Sequence, residues 1–365
     1  MYAGRPDTCH GPPITLYDPV FAELNDQLRN LSTVSPTKEA LELTRDLFSD
    51  ASGIYPHEDT RIGLMVPYLK ALLGLPGLLT HMEQTEGRAI GDCMETVKLP
   101  GGVAGLGPVF VYMEWTPELG VGGDPGLQVA HTYRMHVIQD EYQQIRDNSC
   151  CPCILMAFAG SYFSVFGAVL IDVPFVQPFT EYHLLGGDPH TDESVVHVAR
   201  IFHVLSRALA ALRQGYLDLK LDGGYRIEKR LFPKPVLRNP LSTLPNIVYI
   251  DRFYCRGWRL EDHRQPIYLA RLLSDERSGT VVVVKFSKTY NADAHKLLVE
   301  QGLAPTLHFA EPVRGGHTMI VMDFVDDLPS SEPLSEAAKS DVKKAIAILH
   351  ESGFVFGDLR RSNVL

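Results

Sequence analysis

The 365-residue sequence lacks an excess of positive charge, a basic start followed by an apolar run, and any low-complexity tract. Its formal net charge of −10 excludes a surface that attracts nucleic acid or anionic membrane as a whole, although a local basic groove remains compatible with it. The N-terminal stretch MYAGRPDTCHGPP does not have the pattern of a secretory signal, so we expect an intracellular protein of the cytoplasm or nucleus.

Cysteine is scarce, and its only cluster is CCPC, with thiols at Cys150, Cys151 and Cys153. The cluster lacks the C-x-x-C spacing of a zinc site, and no matching Cys/His pair lies elsewhere in the sequence. We therefore predict buried free thiols at the start of a strand.

One apolar run is long enough to cross a bilayer, since 22 residues without a charge extend from position 150 to position 171. The run contains Pro152, an AGS break at 159–161, and β-branched and aromatic alternation, and no basic residues flank it. These features favour two buried strands joined by a tight turn, and we expect no membrane contact.

Composition and periodicity divide the chain into four regions. Residues 1–35 predict an irregular arm, 36–228 an α/β module, 229–246 a connector with four prolines and four basic residues, and 247–365 a second domain. Two helices are predicted early in the module. Ser35 and Pro36 indicate the cap and first residue of one helix, whereas Pro67 and Pro76 indicate breaks in the next.

The second domain has the element order β-β-β-α-β-β, followed by a helix and a closing loop. A phosphotransferase needs a strand lysine for nucleotide phosphates, an acid on the next helix, and a loop with a base and an amide ligand for magnesium. Candidates stand in this order: Lys285 after a valine run, Asp293 or alternatively Glu300 on the helix, a hinge-like MIVMDFVDD, and Asp358 and Asn363 in D-x-x-x-x-N spacing.

Residues 247–365 resemble the first half to two thirds of a protein-kinase-like domain, closest to fungal kinase-like proteins and small-molecule kinases of the aminoglycoside or choline type. The segments AHKLLVEQGLAPTLHF, IVMDFV and LHESGFVFGDLRRSNVL carry the resemblance. It implies ATP and Mg²⁺ as cofactors. Lys285 would hold the phosphates, Asp358 would accept the substrate proton and Asn363 would bind Mg²⁺. The phosphoacceptor, a protein or a small molecule, is left open.

Three departures from that pattern bear on activity. Phe356 stands where the family usually has a histidine, no G-x-G-x-x-G precedes Lys285, and no D-F-G aspartate follows the catalytic-type loop. We therefore expect an incomplete kinase-like fold, an N-lobe plus the start of a C-lobe, with ATP turnover badly impaired. A catalytically inactive protein that binds a partner is the alternative.

The first domain carries a second pattern, in which a strand delivers Glu114, a Gly-rich turn follows, and a helix bears Gln128 and Tyr133. Residues 80–185 resemble restriction-endonuclease-like nucleases, and the tandem of the two domains is similar to Crinkler-type multidomain fungal proteins. The resemblance implies metal binding by Asp92 and Glu114 and a nucleic-acid substrate.

Thr116 occupies the position of the nuclease lysine, so water activation is weakened even if the metal binds. Glu118 is either an additional metal ligand or a solvated residue at the end of the strand. The alternative for the whole pattern is that Asp92 and Glu114 are ordinary polar residues at a sheet edge. The fold class expected for the chain is accordingly two-domain, α+β or α/β.

Overall fold

The computed structural model describes residues 11–80, 92–99, 107–187, 191–221, 228–252, 266–273, 279–326, 335–357 and 359. The chain is a mixed α+β protein that divides into two compact units, Met1–Pro235 and Val236–Leu365. The division falls within the proline-bearing segment 229–246, where the sequence places the connector.

The first unit is built on a seven-stranded sheet with the order β1-β2-β3-β4-β5-β6, and β7 pairs with β5. Only β3 and β4 are parallel among the described pairs, and all the others are antiparallel. The strands are β1 Leu79–Thr80, β2 Cys93–Thr96, β3 Val109–Thr116, β4 Cys153–Ala159, β5 Tyr162–Leu170, β6 Pro174–Pro178 and β7 His183–Leu184.

Helices pack on both faces of this sheet. Their bounds are α1 Pro19–Arg29, α2 Lys38–Ala51, α3 Glu58–Leu73, α4 Pro125–Val137, α5 Gln143–Asn148, α6 Glu193–Leu217 and α7 Glu228–Leu231. Helices α1, α2 and α3 pack against α6, whereas α4 crosses from β3 to β4 and packs on those strands. Since successive strand residues point to opposite faces, Glu114 faces α4, whereas Trp115 points to the other face and stacks on Phe158.

The N-terminal arm is more ordered than its composition predicts. Residues 19–29 form α1, because Asp18 caps the helix through the Val20 N–H and Pro19 suits the first helical position. The helix buries Phe21 and Leu24. The expectation of an irregular segment is therefore wrong for these residues.

Two predicted helix boundaries also differ from the structure. Helix α2 is capped by the Thr37 hydroxyl, which accepts from the Ala40 N–H, rather than by Ser35. Helix α3 continues through Pro67, where burial of Met65 and Leu69 on either side outweighs the lost backbone hydrogen bond. It ends at Gly74, whose φ of 67° is the left-handed conformation that glycine adopts readily.

The apolar run at 150–171 forms β4 and β5 with a tight turn at Gly160, which confirms the predicted pair of buried strands. Cys150, Cys151 and Cys153 are buried free thiols, as the sequence predicts. In the described part of the chain, α6 is the one helix with the length and apolar composition to span a membrane. Its apolar face lies against α1, α2, α3 and β3.

The second unit contains a five-stranded antiparallel sheet with the order β11-β12-β10-β9-β8. Its strands are β8 Ile247–Arg252, β9 Ile267–Leu272, β10 Thr280–Ser287, β11 Leu307–Val313 and β12 His317–Asp323. Helix α8, Ala292–Glu300, connects β10 to β11, and α9, Glu336–Glu351, follows β12. One face of the sheet is a buried core that includes Tyr268, Val282, Val284, Phe286 and Val321.

Candidate functional site

The first unit brings Asp92 and Glu114, the two candidate metal ligands, close together. Asp92 lies directly before β2, and Glu114 lies near the end of β3, the antiparallel neighbour of β2. The Asp92 Oδ2 accepts a hydrogen bond of 2.7 Å from the Trp115 N–H, which holds its carboxylate beside the backbone of Glu114. The two residues form a carboxylate pair at one end of the sheet.

The Glu114 carboxylate is almost enclosed, with the residue only 9% exposed. Burial raises its pKa to about 7, against a hydrogen bond from Thr132 that lowers the pKa, and the Asp92 charge raises the pKa further. Thr132 Oγ1 lies 2.5 Å from Glu114 Oε1. At neutral pH the Glu114 carboxyl is therefore about half protonated, and a bound cation would displace that proton.

A third carboxylate, which the sequence analysis missed, approaches the pair from α3. Glu58 is the first residue of that helix; burial raises its pKa, and the Asp92 charge raises the pKa further. The signal in the sequence was only an acidic residue in a helix first turn, and such residues are common there.

The donor set fits a hard divalent cation that keeps most of its water. Mg²⁺ is typically bound through one or two carboxylates with several waters retained, which is what Asp92 and Glu114 offer. Among the described residues, no group of three or more His, Cys, Asp or Glu side chains has metal-site geometry. The two carboxylates therefore define the site, and Glu58 adds charge near it.

A buried guanidinium, that of Arg61, lies near Glu58, whereas the position of the nuclease lysine holds Thr116. The Arg61 guanidinium donates to the Pro117 carbonyl at 2.5 Å, to the Gly53 carbonyl at 3.2 Å and to Glu118 Oε1 at 3.0 Å. Arg61 is 5% exposed, and its charge lowers the pKa of Glu58. Glu118 is thus the ion-pair partner of Arg61.

The two helix residues singled out in the sequence have structural contacts instead of facing the carboxylates. Gln128 Nε2 donates to the Gly122 carbonyl at 3.1 Å and braces the Gly-rich turn. Tyr133 is buried, and its hydroxyl donates to the Cys151 carbonyl at 2.9 Å. Thr132 is the helix residue that reaches Glu114, one position from the residue that the sequence analysis named.

One helical turn beyond Thr132, His136 is buried against two tyrosine rings. Its ring centre lies 5.6 Å from that of Tyr112 and 4.5 Å from that of Tyr142. Burial lowers the pKa of His136 to about 4, so the imidazole is neutral at physiological pH. Within the described part of the chain, neither ring nitrogen has a hydrogen-bond partner.

In the second unit, Lys285 lies on the central strand β10, opposite Ile320 of β12 and Ile267 of β9. Its side chain is half-buried and points to the face opposite the buried Val284 and Phe286. Lys285 thus stands on the less buried face of the sheet.

The predicted pairing of Lys285 with an acid of α8 is absent among the described residues. The Asp293 carboxylate lies 4.0 Å from Lys296 Nζ in an exposed pair, because the Asn291 cap holds Asp293 in the first turn of α8. Glu300 is exposed at the end of the helix. Asp358 and Asn363 lie outside the described residues, and Phe356, before them, is 41% exposed.

The hinge-like segment at the end of β12 forms backbone hydrogen bonds to β10 and to the residue that precedes β11. The Asp323 N–H donates to the Thr306 carbonyl at 3.0 Å, and the Phe324 N–H donates to the Val281 carbonyl at 3.2 Å. His308 lies at a register shift in β11, and its Nε2 is 2.6 Å from Asp323 Oδ1.

No protein-family model matches the chain, and no curated protein and no solved structure matches it either.

Proposed function

We propose that the second unit binds ATP in the manner of a protein-kinase-like N-lobe, with Lys285 as the residue that contacts the phosphates. The observation that carries this proposal is the position of Lys285 on the central strand of a sheet ordered β11-β12-β10-β9-β8, with α8 inserted after that strand. This is the arrangement that the sequence resemblance leads one to expect.

The less buried face around Lys285 has the chemistry for a nucleotide. Val281 and Val283 share the face of β10 with Lys285, so apolar side chains for a base lie on the same strand as a cation for phosphates. Asp323 and Phe324 lie beside β10, and the segment that they begin would contact the base. Asp358 and Asn363 are the residues proposed for proton acceptance and for Mg²⁺, which would neutralise phosphate charge when bound.

ATP binding is tested by the shift in thermal unfolding midpoint on adding ATP, with and without Mg²⁺. We expect ATP to raise the midpoint of the wild type and to leave that of Lys285→Ala unchanged. Lys288→Ala is the matched control, because Lys288 is an exposed lysine three residues along the chain. An equal shift in Lys285→Ala, or none in the wild type, contradicts the proposal and favours the alternative of a protein that binds a partner without using ATP.

A second proposal concerns the first unit, in which Asp92 and Glu114 form a cation site of the kind that nucleases use on phosphodiesters. The proposal is supported by the enclosed pair of carboxylates. Burial and the Asp92 charge raise the pKa of Glu114, and a bound cation would stabilise the charged form of both groups. The carboxylates would hold the ion, and an ion bound there polarises a phosphoryl oxygen and lowers the pKa of bound water. Thr116 stands at the position of the nuclease lysine, so we expect slow cleavage.

The carboxylate site is tested by Mn²⁺ binding and by Mn²⁺-dependent cleavage of plasmid DNA. We expect Glu114→Gln to remove both, whereas Glu141→Gln, an exposed acid of the same unit, keeps both. Binding that survives in Glu114→Gln would place the ion elsewhere. Binding without cleavage would retain the cation site and reject the nuclease activity.

A further inference from the structure

A pair of histidines in the first unit joins the short strand β7 to the helix α6. His183 pairs with Phe163 in the ladder between β7 and β5, and His197 lies in the second turn of α6. The centres of their imidazole rings are 5.2 Å apart, with the ring planes tilted by 54°.

Aromatic packing against Phe163 holds the His183 ring in position. The Phe163 ring lies 5.6 Å from His183 and stacks on Phe202 of α6 at 5.3 Å. His183 is half-buried, whereas His197 is exposed. One imidazole is thus held by the core and faces a second one that solvent can reach.

The two rings have nitrogen atoms free for another partner. Within the described part of the chain, no hydrogen bond engages either ring of this pair. Burial and the neighbouring His197 lower the pKa of His183, although Glu181 raises it. A neutral imidazole with an uncommitted nitrogen is the form that binds a metal ion.

We propose that His183 and His197 together bind one divalent transition-metal ion, with zinc as the favoured metal. A tetrahedral zinc held at about 2.0–2.1 Å by one nitrogen of each imidazole places the ring centres about 5 Å apart, close to the separation found. Two imidazoles favour zinc, copper or nickel over magnesium, whereas the carboxylate pair of Asp92 and Glu114 has the opposite preference.

Among the described residues, which contain no group of three or more metal-ligating side chains, the ion would have these two protein ligands, and water would complete its coordination. Such a site binds reversibly. Its effect on the fold is to tie β7, which pairs with β5 through two residues, to the long central helix.

Zinc binding is measured by equilibrium dialysis of the full chain, purified without a histidine tag, against ZnCl₂ in the presence of excess MgCl₂. The magnesium occupies carboxylate sites, so zinc reports on the imidazoles. We expect one zinc per wild-type chain and its loss in His197→Gln, a change at an exposed position that leaves the fold intact. His131→Gln, an exposed lone histidine of α4, is the matched control and keeps the zinc.

Thermal unfolding gives a second readout that does not depend on counting ions. Zinc should raise the unfolding midpoint of the wild type and of Glu114→Gln, but not that of His197→Gln, because an ion that binds only the folded state stabilises it. Wild-type chain without zinc, or His197→Gln with as much zinc as the wild type, overturns the proposal. His183→Gln, with its fold verified by circular dichroism, must give the same loss as His197→Gln.

Discussion

Thr132 Oγ1 donates to Glu114 Oε1 at 2.5 Å, from a helix to a strand that the chain joins through the Gly-rich turn. The contact is buried, so it compensates part of the cost of enclosing a carboxylate. It also links α4 to β3.

Replacing Glu114 should change how stability depends on pH. Its folded pKa is raised from 4.5 to about 7, so its contribution is most favourable below pH 4.5 and is lost as pH rises through about 7. We expect Glu114→Gln to flatten the fall in unfolding free energy over this window, as measured by urea denaturation at several pH values. An unchanged slope between wild type and variant would show that Glu114 has an ordinary pKa.

Replacing Thr132 by valine should destabilise the first unit. Valine keeps the shape but removes the donor, and leaving a buried acceptor without its partner costs about 1–3 kcal/mol. The same change should raise the pKa of Glu114, because the Thr132 hydrogen bond lowers it. Thr33→Val is a control at an exposed position. Equal unfolding free energies for the two variants would argue against an energetically important contact.

Arg61 should matter more to stability than its ion-pair partner Glu118. Arg61→Met leaves the carbonyls of Pro117 and Gly53 without their hydrogen-bond donor. We expect the unfolding free energy to fall by about 1–3 kcal/mol. Glu118→Gln removes a charge whose side chain is 57% exposed, so a loss of about 0–1 kcal/mol is expected. Chemical denaturation of both variants measures the two losses in unfolding free energy. A larger loss in Glu118→Gln than in Arg61→Met would mean that the ion pair contributes more than the carbonyl contacts.

The thiols of the CCPC cluster should react only after unfolding. Burial raises the pKa of Cys151 to about 12, against a hydrogen bond with Ser149, and burial also raises the pKa of Cys150 and Cys153. Thiolate is therefore scarce at neutral pH. With Cys9 and Cys255 replaced by serine, we expect a thiol reagent to label the native chain far more slowly than the urea-unfolded chain. Rapid labelling of the native chain would contradict the burial of the cluster.

Periodicity and turn chemistry predicted much of the fold from sequence. The strands at 150–171 were predictable because an uncharged run of alternating β-branched and aromatic residues, interrupted by a glycine, is typical of two buried strands joined by a turn. Helix α1 was not predicted, because the Asp18 and Pro19 that begin it are residue types that are also common in loops. Helix α3 was predicted to break at Pro67, since a local rule cannot weigh the burial of residues on both sides of the proline.

The candidate sites were predictable where a motif names its residues along the strand, as for Asp92 and Glu114. Contacts made by helix residues were harder, because the choice between Thr132 and Tyr133 depends on the rotation of α4 about its axis. Arg61 and Glu58 were missed because α3 is distant in sequence from β3. The expected pairing of Asp293 with Lys285 failed because capping by Asn291 fixes Asp293 beside Lys296.

The register shift at His308 has a consequence for alignment. Leu307 pairs with Met322 and Phe309 with Val321, so two residues that an unbroken strand would place on one face lie on opposite faces. A related chain without this extra residue would align to β11 with a one-residue gap at 308. It would also lack the imidazole that reaches Asp323, so the gap and a change at position 323 should occur together.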